Sequence, residues 1–269
     1  MFKKGVVLLL LIFCSFIRAE DKRFAIIICG YKNIDWFKKN LDSVFVQTYK
    51  NWYIIYTDDN SPDDTGNAVK NYYQSQGMSD QFILIQNKTR KRALANIYHA
   101  IHLCDPRDVV VILDADDWLA DKYVLEYLNA IYQDPNIWLT YGQFEEYPSG
   151  KKGWCLPMPA EAVEKQWFRY YTHIPSHLRT FYAALFHKIK REDLLYKNGD
   201  FFPMTYDFAI MLPMIEMARW WHFKFIDDIL LIYNTANELN DHKVDEQLQR
   251  DIAALIRKKD RYEALQSLF

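Results

Sequence analysis

The sequence predicts an α/β fold built on a mostly parallel sheet flanked by helices. Three observations carry this. Unbroken runs of β-forming residues recur four times before residue 114, stretches of helical period separate them, and acidic clusters follow directly on two of the runs. Strands that alternate with helices join as crossover units, and those close into a parallel sheet.

Phe24-Ala25-Ile26-Ile27-Ile28 is apolar throughout, the pattern of a strand buried on both faces. Residues 36–46 follow as a helix with Phe37, Leu41, Val44 and Phe45 on one face. Trp52-Tyr53-Ile54-Ile55-Tyr56 is the second strand and runs straight into Asp58-Asp59-Asn60-Ser61-Pro62. Residues 66–76 form the second helix, Phe82-Ile83-Leu84-Ile85 the third strand, and residues 92–103 the third helix. The fourth strand, Val109-Val110-Val111-Ile112-Leu113, ends in Asp114-Ala115-Asp116-Asp117, with a further helix starting at Asp121. Beyond it the pattern loosens. His177-Leu178-Arg179-Thr180 leads into an apolar stretch, 181–186, that reads as a strand, and His177 and Arg179 share one side of an extended chain. Residues 208–217 read as a helix and 225–233 as a closing strand. Residues 244–268 form an amphipathic helix or helix pair with Leu248, Ile252, Leu255 and Ile256 on one face. The Pro- and Gly-bearing stretch 148–159 is the plausible seam.

The chain has 269 residues, half of them apolar and a quarter charged, which excludes a disordered chain, a collagen and a coiled-coil rod. A net charge of -2 lacks the basic footprint of a nucleic-acid binder. The aromatic share of 16% suits a carbohydrate- or nucleotide-facing surface, and equally a large aromatic core.

Lys3 and Lys4 precede an apolar run, residues 5–17, and Ala19 stands where a signal peptidase could cut. As a helix that run rises about 20 Å, short of a hydrocarbon core of roughly 30 Å. Residues 1–19 are therefore expected to be a signal peptide or a short signal anchor making transient membrane contact. Location in a secretory-pathway lumen follows, with cytoplasmic retention the alternative. Cys29, Cys104 and Cys155 remain after cleavage and match no disulfide framework or zinc site. Asn87-Lys88-Thr89 is a glycosylation sequon.

In open α/β sheets ligands bind outside the carboxyl ends of the strands, where both acidic clusters fall. Carboxylates this dense repel one another unless a cation sits among them. Mg²⁺ or Mn²⁺, held by one or two carboxylates with substrate phosphates completing the shell, is the natural partner. Neither Gly-rich phosphate-loop pattern is present, which argues against a Rossmann dehydrogenase and a P-loop NTPase.

These residues resemble the family-2 glycosyltransferases, which have the GT-A fold, a single Rossmann-like sheet with an acceptor-side extension. The segment from Phe24 through Tyr31 to Asn33 is similar to that family's opening strand and Tyr-bearing turn, and Leu41 to Tyr49 to its first helix. Asp58-Asp59-Asn60-Ser61-Pro62-Asp63 resembles its Asp-Asp-Gly-Ser-x-Asp turn, with Asn60 for Gly. Arg92-Ala93-Leu94-Ala95-Asn96 resembles its Ala-Arg-Asn helix start, with Ala95 for the Arg, and Leu113-Asp114-Ala115-Asp116-Asp117 matches its metal-binding motif unchanged. The resemblance implies a nucleotide-sugar half at 24–118 and an acceptor half at 119–240, making one domain at 20–240, with a C-terminal helical segment at 241–269.

It also implies roles. Tyr31 would stack on the base, Asp59 would accept from a base N–H, and Asp58 would serve the turn or the ribose. Asp114 would contact ribose, Asp116 would ligate the metal, and Asp117 would lie just behind or contact the sugar. Arg90, Lys91 and Arg92 supply charge suited to a diphosphate. His177 and Arg179 are candidates for phosphate or acceptor contact, and His242 could complete the metal shell. Asp207, at the start of a helix after a Gly-bearing loop, matches the place of the family's base, with Tyr206 replacing the usual acidic partner and Asp200 the alternative. The expected activity is inverting, metal-dependent transfer of a sugar from a nucleoside diphosphate, UDP above all, to a hydroxyl of a glycan, lipid or protein. The alternatives are a sugar nucleotidyltransferase and an inactive carbohydrate-binding module.

Overall fold

The computed structural model describes residues 21–171, 175–219, 222–239 and 241–269, leaving aside the side chains of Asp241 and His242. The expected signal segment, 1–19, and the side chain of the metal-ligand candidate His242 thus lie outside what is described.

The strands are β1 (Phe24–Gly30), β2 (Trp52–Asp58), β3 (Phe82–Gln86), β4 (Val109–Ile112), β5 (Trp118–Leu119), β6 (Leu139–Tyr147), β7 (Arg179–Tyr182) and β8 (Phe223–Asn234). The helices are α1 (Phe37–Phe45), α2 (Thr65–Ser75), α3 (Ala93–Ile101), α4 (Val124–Ile131), α5 (Ala160–Glu164), α6 (Ala183–Phe186), α7 (Tyr206–Ala218), α8 (Asp241–Val244) and α9 (Glu246–Arg257). Among the described residues the strands form one sheet in the order β3-β2-β1-β4-β7-β6-β8-β5. β3, β2, β1 and β4 run parallel, as the alternation of strand and helix predicts. β7 then pairs antiparallel with both β4 and β6, while β6 and β8 are parallel to each other. The second half of the sheet is therefore mixed.

Burial follows the sequence pattern. Phe24 through Ile28 and Val109 through Leu113 are buried between helical layers. α7 is buried all round from Phe208 to Ala218, so it is a core helix with no solvent face. That burial fixes the body of the helix in the core.

Two expectations change, and one strand was not expected. The stretch 181–186 is not one strand: β7 ends at Tyr182 and the chain turns into α6, whose short apolar run cannot reveal strand from helix by periodicity. The C-terminal helix stops at Arg257. Residues 258–269 continue without regular structure yet stay packed, with Leu268 buried and the Leu265 N–H donating to the Met217 carbonyl. Strand β6 gave no clean signal in the sequence, because Gly142 and the Glu145-Glu146 pair interrupt its pattern. The stretch 148–159 folds back on β6, with Glu145 bridging to Lys152 and the Gln143 side chain donating to the Cys155 carbonyl. Among the described residues no helix is long and apolar enough to cross a membrane.

Candidate active site

Two turns at the carboxyl ends of β2 and β4 build one side of the site. After β2 the chain reverses through Asn60 at φ 61°, a left-handed value that Asn tolerates in place of Gly. Gly30, at the end of β1, admits no side chain, since a Cβ there would meet the Tyr56 hydroxyl at 2.6 Å. The buried Asp59 carboxylate collects the loop before α3: Oδ1 accepts from the Asn87 side chain at 2.9 Å and the Lys91 N–H at 2.8 Å, Oδ2 from the Arg92 N–H at 2.7 Å. Burial works to raise the Asp59 pKa, but hydrogen bonds from Asn96, Lys91, Asn87 and Arg92 outweigh it and hold the group ionised. Because the Asn87 amide also donates to Asn96, its nitrogen is committed inside the loop rather than presented for a glycan. Asp58 lies buried beside the turn, with the Ser61 N–H 3.4 Å from Oδ2.

A cavity of about 250 Å³ opens at these strand ends, with Tyr31, Arg90, Asp114, Asp116, Tyr206 and Asp207 on its wall. The Arg90 guanidinium lies 3.7 Å from the centroid of the Tyr31 ring. Arg92, by contrast, is not on this wall; its guanidinium points to the Pro203 carbonyl at 3.5 Å. Asp59 too sits behind the wall, under the loop that carries Arg90. A second cavity, of about 560 Å³, adjoins the first and has Phe144, Glu146, Trp154 and Phe208 on its own side. His177, Arg179, Thr205, Asp207, Tyr233 and Gln249 line both.

Arg179 is the hub of that shared wall. It is buried at 4% exposure, and its guanidinium donates to the Tyr206 hydroxyl at 3.1 Å and to His177 Nε2 at 3.3 Å. Asp207 Oδ2 lies 3.7 Å away. Burial opposes the Arg179 charge, but Tyr206, Asp207, Asp114 and Asp117 around it more than offset that and keep it protonated. The Tyr206 hydroxyl in turn donates to Asp114 Oδ1 at 2.6 Å. Burial pushes the Asp114 and Asp117 carboxyls up, Asp117 far up, despite the nearby guanidinium. His177, stacked on Tyr233 at 5.3 Å, is held well below its usual pKa by burial and by Arg179, so it is neutral.

Asp114, Asp117 and His177 bring one ligand atom each to within 4.8 Å of one another. Asp117 Oδ2 is buried without a hydrogen-bond partner, while Oδ1 accepts from the Asn234 N–H at 2.8 Å. Arginine can only donate, so the Arg179 contact makes His177 Nε2 an acceptor and leaves the ring proton on Nδ1. His177 is thus a poor ligand as it stands, and the carboxylates carry the fit: a dense, incompletely neutralised oxygen set suits a hard divalent cation. Asp116 stands outside that three-residue group, on the cavity wall, with Oδ2 accepting from Asn237 at 2.7 Å.

Asp207 opens α7, with Oδ1 accepting from the Phe208 N–H at 3.0 Å. Asp200 is exposed in the turn joining Leu195 to Phe201 and lines neither cavity. Residues that sequence reasoning did not single out complete the site: Asn237 and Gln249 come from segments with no motif, and only folding brings them here.

The family model for Glycosyl transferase family 2 matches residues 25–193. A UDP-Glc:alpha-D-GlcNAc-diphosphoundecaprenol beta-1,3-glucosyltransferase of Escherichia coli, WfgD, is 30% identical over 127 residues, 47% of this chain and 47% of that protein. Glycosyltransferase GlyA of Streptococcus pneumoniae is 27% identical over 104 residues, 39% of this chain and 14% of that protein. The match spans less than half the length of each of these relatives. Among solved structures, S. aureus TarS 1-349 in complex with UDP-GlcNAc superposes with a TM-score of 0.62 at 14% identity, covering 87% of this chain and 65% of that one. The mannosyltransferase PcManGT from Pyrobaculum calidifontis, in complex with GDP-Man and Mn²⁺, gives 0.59 at 16%, covering 90% and 66%.

Proposed function

The chain belongs to glycosyl transferase family 2, with the GT-A fold, and from that premise we propose that it moves a sugar from a UDP-sugar to an acceptor hydroxyl with inversion at the sugar carbon. One observation carries the reading: two adjoining cavities, one acidic and one partly aromatic, meet at Asp207. A UDP donor is supported by the UDP-sugars named for WfgD and bound to TarS, against a GDP-sugar in PcManGT.

The donor would occupy the smaller cavity, its base against Tyr31 and its diphosphate near Arg90. Asp59 would act through the loop it holds rather than by touching the base. Asp116 on the cavity wall, with Asp114 and Asp117 beside it, would hold a divalent cation of the Mn²⁺ or Mg²⁺ class. When bound, that cation supplies positive charge to the leaving diphosphate. The acceptor, a hydroxyl on a glycan or lipid, would enter the larger cavity. Asp207 would take the hydroxyl proton as the oxygen bonds to the sugar carbon, while the carbon–oxygen bond to the diphosphate breaks on the opposite face. Arg179 holds the carboxylates around it in fixed places, which lowers the reorganisation needed during transfer.

Calorimetric titration of UDP with and without Mn²⁺, followed by a screen of UDP-, GDP- and dTDP-sugars for UDP, GDP or dTDP release, tests this. Metal-dependent UDP binding and turnover of a UDP-sugar are expected. Metal-independent binding, or turnover of none of the donors, would refute the reading.

A further inference from the structure

We infer that Tyr206 is a positioning residue whose hydroxyl fixes the base Asp207 relative to the donor-side carboxylate Asp114. This rests on the glycosyl-transfer reading and adds to it a residue in the family's usual acidic position that is not acidic here.

The body of α7 is locked by burial, but its first turn is not locked by local chemistry. No side chain caps it, and Thr205, which leads into it, sits at φ 63°, a left-handed value that a β-branched residue rarely adopts. A tertiary anchor must therefore hold this turn, and Tyr206 provides one. Its hydroxyl donates to Asp114 Oδ1 at 2.6 Å, across 92 residues of sequence, and accepts from Arg179 Nη1 at 3.1 Å. The guanidinium can only donate, so the hydroxyl accepts from it and gives its own proton to the Asp114 oxygen. One hydroxyl so joins the end of β4, the start of β7 and the start of α7. The next residue is Asp207. Its Oδ1 is taken by the Phe208 N–H, which leaves Oδ2 to receive the proton, with Arg179 Nη2 3.7 Å away.

Tyr206 also keeps Arg179 off the base. With the hydroxyl in place, the guanidinium spreads its donors over Tyr206 and His177, and its contact with Asp207 stays longer than a hydrogen bond. Tyr206→Phe would keep the ring while leaving Asp114 Oδ1 short of a donor and Arg179 Nη1 of an acceptor. Arg179 would then close on Asp207, and Oδ2 would be held away from the acceptor hydroxyl.

The test compares wild type, Tyr206→Phe and Tyr206→His at saturating UDP-sugar and Mn²⁺, using the donor found by the screen. Tyr206→Phe is expected to lower kcat roughly 10- to 100-fold, the scale of a misplacement of about 1 Å. The Kd for UDP with Mn²⁺ and the donor KM should stay within about threefold of wild type. Tyr206→His, which keeps a ring and a donor, should lose less kcat than Tyr206→Phe, again with UDP affinity held. If the phenylalanine variant does not fold, the histidine variant carries the comparison alone: a fall in kcat at constant UDP affinity. A purely structural tyrosine would lower Tm and leave kcat of the folded protein unchanged, and that result overturns the inference, as does a loss confined to UDP affinity. Wild-type protein that turns over no donor overturns the glycosyl-transfer reading itself, a failure visible before any variant is made.

Discussion

Asp207→Asn isolates the proton-accepting role proposed for Asp207, because it removes the charge and keeps the shape. The asparagine oxygen can still accept from the Phe208 N–H, now at 3.0 Å, so the first turn of α7 keeps that bond. Arg179 loses one of three surrounding carboxylates but keeps Asp114 and Asp117. The Asp207 side chain is 26% exposed and 3.7 Å from the guanidinium, so this contact contributes only ~1 kcal/mol to stability. A Tm shift of about 2–4 °C follows. Catalysis should suffer far more. Loss of a general base typically costs 10²–10⁴ in rate, or about 2.7–5.4 kcal/mol of transition-state stabilisation. UDP binding should be unchanged within about threefold, since the carboxylate lies where the two cavities meet rather than beneath the nucleotide. The assay is UDP release under single- and multiple-turnover conditions, paired with calorimetric UDP titration in Mn²⁺. A kcat within threefold of wild type would refute the reasoning. So would weakened UDP binding with turnover intact, and the base would then be sought at Glu146 in the larger cavity rather than at the exposed Asp200.

Three further outcomes are expected. Asp116→Asn should abolish metal-dependent UDP binding while leaving the far-ultraviolet circular dichroism unchanged; Mn²⁺-stimulated binding that survives would remove Asp116 from the cation site. Glu216→Ala strips the partner from Arg169, a pair 3% and 2% exposed whose guanidinium also holds the carbonyls of Ile256 and Lys259, so about 3–5 kcal/mol and roughly 10 °C in Tm should be lost. A loss under about 2 °C would show that the C-terminal segment does not depend on this contact. His177 has a folded-state pKa depressed well below 6.5, so its unfolded form binds more protons as pH falls, and its contribution to stability is lost on acidification. Wild type should therefore lose Tm more steeply than His177→Gln between about pH 7.5 and 5, with the opposite pull of the raised Asp114 and Asp117 carboxyls common to both proteins. Parallel Tm curves would contradict the buried, neutral state of His177.

The sequence alone determined the parallel half of the sheet and the acidic turns at its strand ends. Runs such as Val109 to Leu113 are buried on both faces because nothing in them tolerates water, and the acidic turns follow them as chain neighbours. The turn at Asn60 was matched through the family resemblance alone, and the structure gives it the left-handed value that Asn tolerates in place of Gly. What no local pattern could reveal was which distant groups meet. Asp59 faces the backbone of Lys91 and Arg92, 32 and 33 residues on, and so holds Arg90, not Arg92, at the cavity. Asp117 is neighbour to Asp116 in the chain, yet it turns inward to the Asn234 N–H 117 residues away while Asp116 faces Asn237. Tyr206 looked like a departure from a motif and proved to be the link between β4, β7 and α7. Strand formation and turn chemistry are decided over a few residues, whereas the partners of a buried charge are decided by sheet order and helix packing, and β7 set antiparallel beside β4 is what brings Arg179 to the aspartates.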